Sequence, residues 1–266
     1  IPLQGAAVMR RLIALALMLL VAASAWAAAD DAYTVDLLHF DGSMTNEVPT
    51  GSSFSAAGNA TSTTSTAKFG SGSLAVDGDG DCLLAADSPD WAFGTGSFTI
   101  DCWLYVPSHS PTMRRFISQQ TWPGLVNFRI NSQNKLNFEG GSYAIVSLID
   151  SSEFPTAQWV HVAVSRDGED WRLFRDGALV STASSTAAMV DCSANRYIGG
   201  DPSIGGEYFS GYIDEVRVTK GIARWTAPFT PPSEPYVTEP VIPSGRVYLA
   251  DGGRIYVADG GRIKIR

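Results

Sequence analysis

"YFSGYIDEVRVTKGIARWTAPFTPP" occupies residues 208–232. From Tyr212 to Val218 it reads as a β-strand, with Ile213, Val216 and Val218 as the apolar members. Beyond Gly221 come Trp225, Pro228, Pro231 and Pro232. Proline removes the backbone donor that a sheet ladder needs, so the stretch reads as a long strand followed by an extended tail, with Trp225 as its anchoring plug. Asp214 and Glu215 are the most conspicuous adjacent acids in the chain and raise the question of a catalytic pair. On a regular strand, consecutive side chains point to opposite faces. Glu215 is therefore expected to face solvent while Asp214 faces a neighbouring strand.

The strand pattern extends outward through the chain. "YTVDLLHFDG", "GSLAVDGDGDCLLAAD", "SFTIDCWLYVP", "RRFISQQ", "LVNFRIN", "KLNFEG" and "YAIVSLID" are short strand signals separated by turns. "QWVHVAVSRDGEDWRLFRDGALVS" is a meander with turns at Asp167-Gly168 and Asp176-Gly177, dipeptides suited to positive φ. No segment reads as a helix. The 266 residues, 45% of them hydrophobic, are enough for one substantial core, and the spacing of the strand signals predicts an all-β, antiparallel two-sheet sandwich. A formal net charge of -8 argues against nucleic acid, whose phosphates require clustered Lys and Arg.

The ends differ from the body. Residues 1–8 are upstream sequence of unclear status. Residues 9–27 have two arginines, an apolar run from Leu12 to Ala23 and the small-residue triplet Ala25-Trp26-Ala27, the layout of a signal peptide cleaved after Ala27. The apolar run is too short to span a bilayer, so the mature protein is expected to be secreted, extracellular or periplasmic, with no membrane span. Export permits disulfides. Of the three cysteines, Cys102 lies on the strand face of Phe98, Ile100 and Leu104 and reads as a buried thiol, leaving Cys82 and Cys192 as the candidate disulfide.

The body is expected to cover residues 28–236, followed by a Pro-rich linker, 237–244, and an eight-residue β-repeat, 245–266: "RVYLADGG RIYVADGG RIKIR". Asp259-Gly260-Gly261 as a three-residue loop would oppose Ala258 to Arg262, Val257 to Ile263 and Ile255 to Ile265. Val247, Leu249, Ile255, Val257, Ile263 and Ile265 would then share one apolar face of a three-stranded sheet. Such a face needs a covering, which makes self-association through 245–266 an expectation.

"HFDG", "FGSGSLAVDGDGDCL", "FGTGSFTIDCWLYV", "WVHVAVSRDGEDWRLFRDGALV" and "YIGG…FSGYIDEVRVTKGIARWTAPFTPP" together resemble the laminin-G-like jelly roll of the concanavalin A-like lectin/glucanase superfamily. The likeness is to bacterial and phage-associated versions on surface or tail-fibre proteins, and it covers about Tyr33 to Tyr236. It implies a jelly roll with its first and last strands adjacent, binding carbohydrate or a cell-surface protein, commonly with calcium at one rim. The glucanases of this fold carry Glu-x-Asp-x-x-Glu on one strand, and that motif is absent here. The expectation is a non-catalytic recognition or adhesion module; the alternative is a structural or protein-interaction subunit of a surface appendage or virion fibre, and glycoside hydrolysis is the remote one.

With the first and last strands adjacent, Asp41 and Asp214 could meet, either to hold Ca²⁺ or to cap turn and strand amides. Asp77, Asp79 and Asp81 in "DGDGD" are a second set open to the same two readings. Trp122 and Tyr143, in Gly- and Pro-rich loops, are the candidate sugar platforms. Trp103, Trp159, Trp171 and His161 read as packing residues within strands.

Overall fold

The computed structural model describes residues 33–121, 123–141, 145–205 and 207–236, together with strands within 247–265. The signal-peptide and linker segments, 1–27 and 237–244, lie outside the described residues. Tyr33–Tyr236 forms one compact unit. Its strands are β1 (Thr34–Leu38), β2 (Ser55–Ala57), β3 (Thr61–Thr63), β4 (Ser73–Asp77), β5 (Cys82–Ala85), β6 (Phe98–Tyr105), β7 (Arg114–Thr121) and β8 (Gly124–Ile130). They continue with β9 (Lys135–Gly140), β10 (Val146–Glu153), β11 (Trp159–Asp167), β12 (Asp170–Arg175), β13 (Ala178–Ser184), β14 (Arg196–Ile198) and β15 (Ser210–Lys220). Short 3-10 turns at Pro89–Trp91 and Pro202–Ile204 are the helical elements among the described residues.

Two antiparallel sheets result, as a jelly-roll sandwich requires. One has the order β13-β12-β11-β6-β15-β4-β3 with β1 also on β15, and the other runs β10-β9-β8-β7-β14-β5-β2. The inward positions of the alternating strands, Ile100, Leu104, Val162, Val164, Ile117, Phe128, Phe138 and Leu148 among them, are fully buried between the sheets. An aromatic chain crosses this core from Phe93 through Phe98, Trp171, Phe138 and Phe128 to Phe116, with successive ring centroids 4.4 to 6.2 Å apart. The sheets are also pinned by charge. Arg196 of β14 reaches across to Asp36 of β1 at 2.9 Å, while the Trp91 indole donates to the same carboxylate oxygen. Burial pushes the Asp36 carboxyl up and the Arg196 guanidinium down, and each is held in place by the other's charge.

β15 shows why the adjacent acids sit where they do. One edge pairs with β6 along the strand, whereas the other edge pairs with β4 over Ser210–Ile213 and with β1 over Val216–Thr219. At the changeover the register to β6 shifts between Asp214 and Arg217, and Glu215 takes a left-handed φ of 51°. This bulge corrects the expectation of a regular strand. Glu215 is not at the surface but 1% exposed, and Asp214 is fully buried beside it.

The tail beyond β15 folds back over the outer face of the eight-stranded sheet. Trp225 and Phe229 stack at 4.0 Å, and the edge of His161 meets both rings. The Phe229 amide donates to the Gly177 carbonyl at 3.0 Å. Asp176 and Gly177 form the two-residue hairpin turn between β12 and β13, with φ of 47° and 74°, as their sequence predicts. The preceding hairpin turns on Gly168-Glu169, one residue later than expected.

The three cysteines are free and buried, so the expected Cys82–Cys192 disulfide is not formed. Cys82 lies beyond the Ile198–Leu83 pair at one end of the β14–β5 ladder, while Cys192 precedes Arg196 at the other end, against Gly124. The C-terminal strands, β16 (Val247–Ala250), β17 (Arg254–Asp259) and β18 (Arg262–Ile265), form a three-stranded sheet. Val247 pairs with Val257 and Leu249 with Ile255, but Ala258 pairs with Ile263 and Val257 with Lys264. Asp259 pairs with Arg262, so the second register is one residue tighter than expected.

A Cβ added to Gly177 would stand 1.8 Å from the Phe229 carbonyl oxygen in a backbone conformation that disfavours L side chains. Gly177→Ala is expected to displace the tail and cost about 2 kcal/mol. Thermal unfolding and Trp fluorescence check this; an unchanged melting temperature would show that the tail does not contribute to stability.

Candidate functional site

Outward-facing residues of β6, β11 and β15 divide the outer face of the eight-stranded sheet into rows. The central rows are covered. Asp101 is fully buried and receives the Arg217 guanidinium through Nε at 3.1 Å and Nη2 at 3.2 Å. The Tyr236 hydroxyl also donates to Asp101, and His161 Nε2 lies 3.0 Å from that hydroxyl. Burial alone would raise the Asp101 carboxyl, but the Arg217 charge and the His161 and Tyr236 contacts outweigh it and hold it at about 2. The Arg217 guanidinium lies 3.6 Å above the Tyr236 ring, which seats the end of the tail.

The next row, Trp103, His161 and Asp214, is covered by the 66–72 loop and the tail. Lys68 lies 3.9 Å over the Trp103 ring, and Phe69 packs edge-on against it. Asp214 accepts the Lys68 and Phe69 amides on one carboxylate oxygen and the Glu215 amide on the other. Burial pushes its carboxyl up to about 7 despite these donors. Glu215 accepts the Tyr236 amide and pairs with His39 Nδ1 at 2.7 Å. Burial disfavours the His39 cation, but the bond to Glu215 prevails and raises its pKa.

Asp41 caps the far end of the same loop, accepting the Ser71 amide at 2.5 Å and the Gly72 amide at 2.9 Å. Asp41 and Asp214 therefore serve one loop, as amide caps. Amide hydrogens point at both carboxylate oxygens of Asp214 and at one of Asp41, and no group of three or more His, Cys, Asp or Glu able to hold a metal gathers among the described residues. The geometry does not fit calcium at this pair. In the second acidic set, Asp77 accepts the Asp79 amide, and Asp81 accepts the Asn59 and Asp77 amides, which is the bonding of a turn.

One row stays open. Tyr212, Tyr105 and Trp159 are cross-strand neighbours on β15, β6 and β11, each half-buried. Their rings meet edge to face, with centroids 5.7 Å apart for Tyr105–Tyr212 and 5.8 Å for Tyr105–Trp159. On the other side of Tyr212, Ala75 and then Thr61 continue the row, and the short Ala75 side chain leaves the Tyr212 ring beside a hollow. That hollow is a cleft of about 320 Å³ lined by Asn59, Thr61, Asp77, Ser210 and Tyr212, with Pro107 at its edge.

Trp122 and Tyr143, the expected platforms, lie outside the described residues. Trp103 and Trp171 are core or covered residues as expected, whereas Trp159 belongs to the open row. Tyr105 and Tyr212 were not distinguishable from packing residues, because their meeting depends on the register of three strands distant in sequence. Two other places offer polar groups. On the outer face of the seven-stranded sheet, Arg129 bonds to Glu139 at 2.6 Å and to Asn137, and Asn127 bonds to Glu139 as well, in a layer nine-tenths buried. A cleft of about 420 Å³ lies within the Met44–Phe54 loop, where Asn46 is consumed by Asp36 and backbone groups.

A family model described as the concanavalin A-like lectin/glucanases superfamily matches residues 77–223. The chain belongs to this superfamily. No curated protein matches it in sequence. Among solved structures, the binding domain of Paraclostridial Mosquitocidal Protein 1 is similar, with a TM-score of 0.59 at 12% identity over 73% of this chain and 50% of that one. Domain 4 of AbnA, a GH43 extracellular arabinanase from Geobacillus stearothermophilus solved with arabinotriose, gives 0.56 at 15% identity over 71% and 93%. The botulinum neurotoxin serotype G binding domain gives 0.55 at 11% identity over 71% and 48%. The chain thus spans about half the length of the toxin binding domains, and the likeness is one of fold. The described residues contain no helix long and apolar enough to cross a membrane.

The pH dependence of stability follows from the covered rows. Asp214 and His39 both bind protons more tightly in the folded state, so their contribution is full at low pH and is lost as pH rises, for Asp214 between about 4 and about 7. Asp101 acts oppositely, its contribution being lost only as pH falls toward about 2. Asp214→Asn is expected to flatten the decline in melting temperature between pH 4 and 7; a variant with the wild-type slope would assign that decline elsewhere. Excess calcium is expected to leave the melting curve as it is in chelator, and a rise of several degrees that Asp214→Ala removed would restore the metal site.

Proposed function

We propose that the chain is the recognition module of an exported protein and binds carbohydrate, without catalysing its cleavage, on the Tyr212–Tyr105–Trp159 row and in the adjoining cleft. The observation that carries this is the row itself. Three half-exposed aromatic rings stand side by side where the rest of that central face is covered, next to a hollow edged by an amide, a carboxylate and hydroxyls. A sugar presents apolar C–H faces and equatorial hydroxyls, so stacking on a ring while hydrogen-bonding at its rim is the interaction such a surface supplies. The AbnA domain solved with arabinotriose supports the same class of ligand for this fold, and the superfamily supports it more broadly.

A hydrolase would need two carboxylates about 5 to 9 Å apart, facing one cleft with room for substrate or water. Asp214 and Glu215 instead hold backbone amides and His39 and line neither cleft above, and of the two carboxylates lining the cleft beside Tyr212, Asp81 is buried with its oxygens taken by the Asn59 and Asp77 amides. No glycosidase role is assigned to them. Export remains part of this reading on the strength of residues 9–27.

Immobilised oligosaccharides are expected to retain the protein. Tyr212→Ala and Trp159→Ala are each expected to weaken retention about tenfold, the loss of one stacked ring, with melting temperatures near wild type. Retention lost in Trp122→Ala or Tyr143→Ala but kept in Tyr212→Ala would move the site to the β7–β8 and β9–β10 turns. No retention on any glycan, with oligomers in light scattering, would favour a structural subunit.

A further inference from the structure

The charge at the cleft narrows its ligand. We infer that the site selects neutral glycans and discriminates against those bearing a carboxylate, such as sialylated or uronate-containing chains. This rests on the cleft being the glycan site.

Among the described residues, the charged side chains lining the cleft are Asp77 and Asp81, and no Lys or Arg lines it. Asp81 is buried, with its oxygens committed to the Asn59 amide at 2.6 Å and the Asp77 amide at 3.1 Å. Asp77 differs. It is exposed at the mouth, where one of its carboxylate oxygens takes the Asp79 amide at 2.8 Å and the other meets the Asn59 side-chain amide at 3.4 Å. That bond to the Asp79 amide lowers the Asp77 pKa, so the group is negative throughout the physiological range. The neighbouring Asp79 is exposed too, and the chain as a whole carries -8.

Of the cations on the same face, Lys68 is committed to the Trp103 ring one row away, with its ammonium 3.9 Å from the ring centroid, and Arg217 to Asp101 a further row on. A carboxylate sugar stacked on Tyr212 would meet Asp77 with no guanidinium or ammonium from the cleft lining to neutralise it. A neutral sugar in the same place gives the Asp77 oxygens hydroxyl donors, and hydrogen bonds to a charged acceptor are stronger than those between neutral groups. Like charges at close approach near a protein surface change an equilibrium by roughly a factor of ten, and salt screens that effect.

The test is a glycan array on which each neutral oligosaccharide is printed beside its sialylated or uronate counterpart at equal density. It is read at low and high salt with wild type, Asp77→Asn and Tyr212→Ala. Expected are retention on neutral chains, about tenfold weaker retention on the charged counterparts at low salt, and a gap that narrows at high salt and in Asp77→Asn. Tyr212→Ala is expected to lose retention on both kinds. Charged counterparts bound as tightly as neutral ones, or a gap that Asp77→Asn leaves intact, would overturn the selectivity while leaving the glycan site standing. Retention on both kinds untouched by Tyr212→Ala would overturn the site, and the selectivity with it.

Discussion

One edge of β15 has to serve two partners. The strand pairs with β4 through Ile213 and with β1 from Val216, and at the changeover its ladder to β6 breaks register. The break is at Asp214 and Glu215, and it leaves backbone groups and chain ends in need of partners. The two carboxylates supply them: Asp214 holds the Lys68 and Phe69 amides, while Glu215 holds His39 just past β1 and the Tyr236 amide at the end of the tail. An adjacent acid pair that invites a catalytic reading is thus the splice that holds four segments of chain together.

What the splice fixes decides what remains exposed. The 66–72 loop and the tail are both anchored there, and with Asp101 and Arg217 they close the Asp101 and Trp103–His161 rows of the eight-stranded sheet. The cover ends one row short. Tyr212, Tyr105 and Trp159 remain half-exposed because neither segment reaches them, and the short side chain of Ala75 opens the hollow beside Tyr212. Recognition is then a consequence of how closure stops, in keeping with a fold whose sheets are a scaffold and whose sites are set by what lies over them.

Much of the fold was legible because period-two alternation and turn dipeptides are local signals. β6, β11, β12 and the Asp176-Gly177 turn could be read from their own residues, and the tail could be read from its prolines and Trp225. The bulge was missed although Ile213 and Val216, three residues apart and both in the core, break strict alternation there; the strands that change over at it, β4 and β1, lie more than a hundred residues away. The same distance hid the site. Tyr105, Trp159 and Tyr212 are unremarkable in their own strands and become a row only through the registers of β6 with β11 and β15. Cys82 and Cys192 failed as a pair for the converse reason: composition permitted the bond, but the short β14–β5 ladder holds them at opposite ends.

The most direct measurement is a crystal structure of the protein with the neutral oligosaccharide it retains best on an array. Sugar rings are expected against Tyr212 and its neighbours Tyr105 and Trp159, with hydroxyls directed at Asp77 and Asn59. Sugar bound instead over the seven-stranded sheet or at the turns carrying Trp122 and Tyr143, with the aromatic row bare, would contradict the assignment of the open row as the recognition surface.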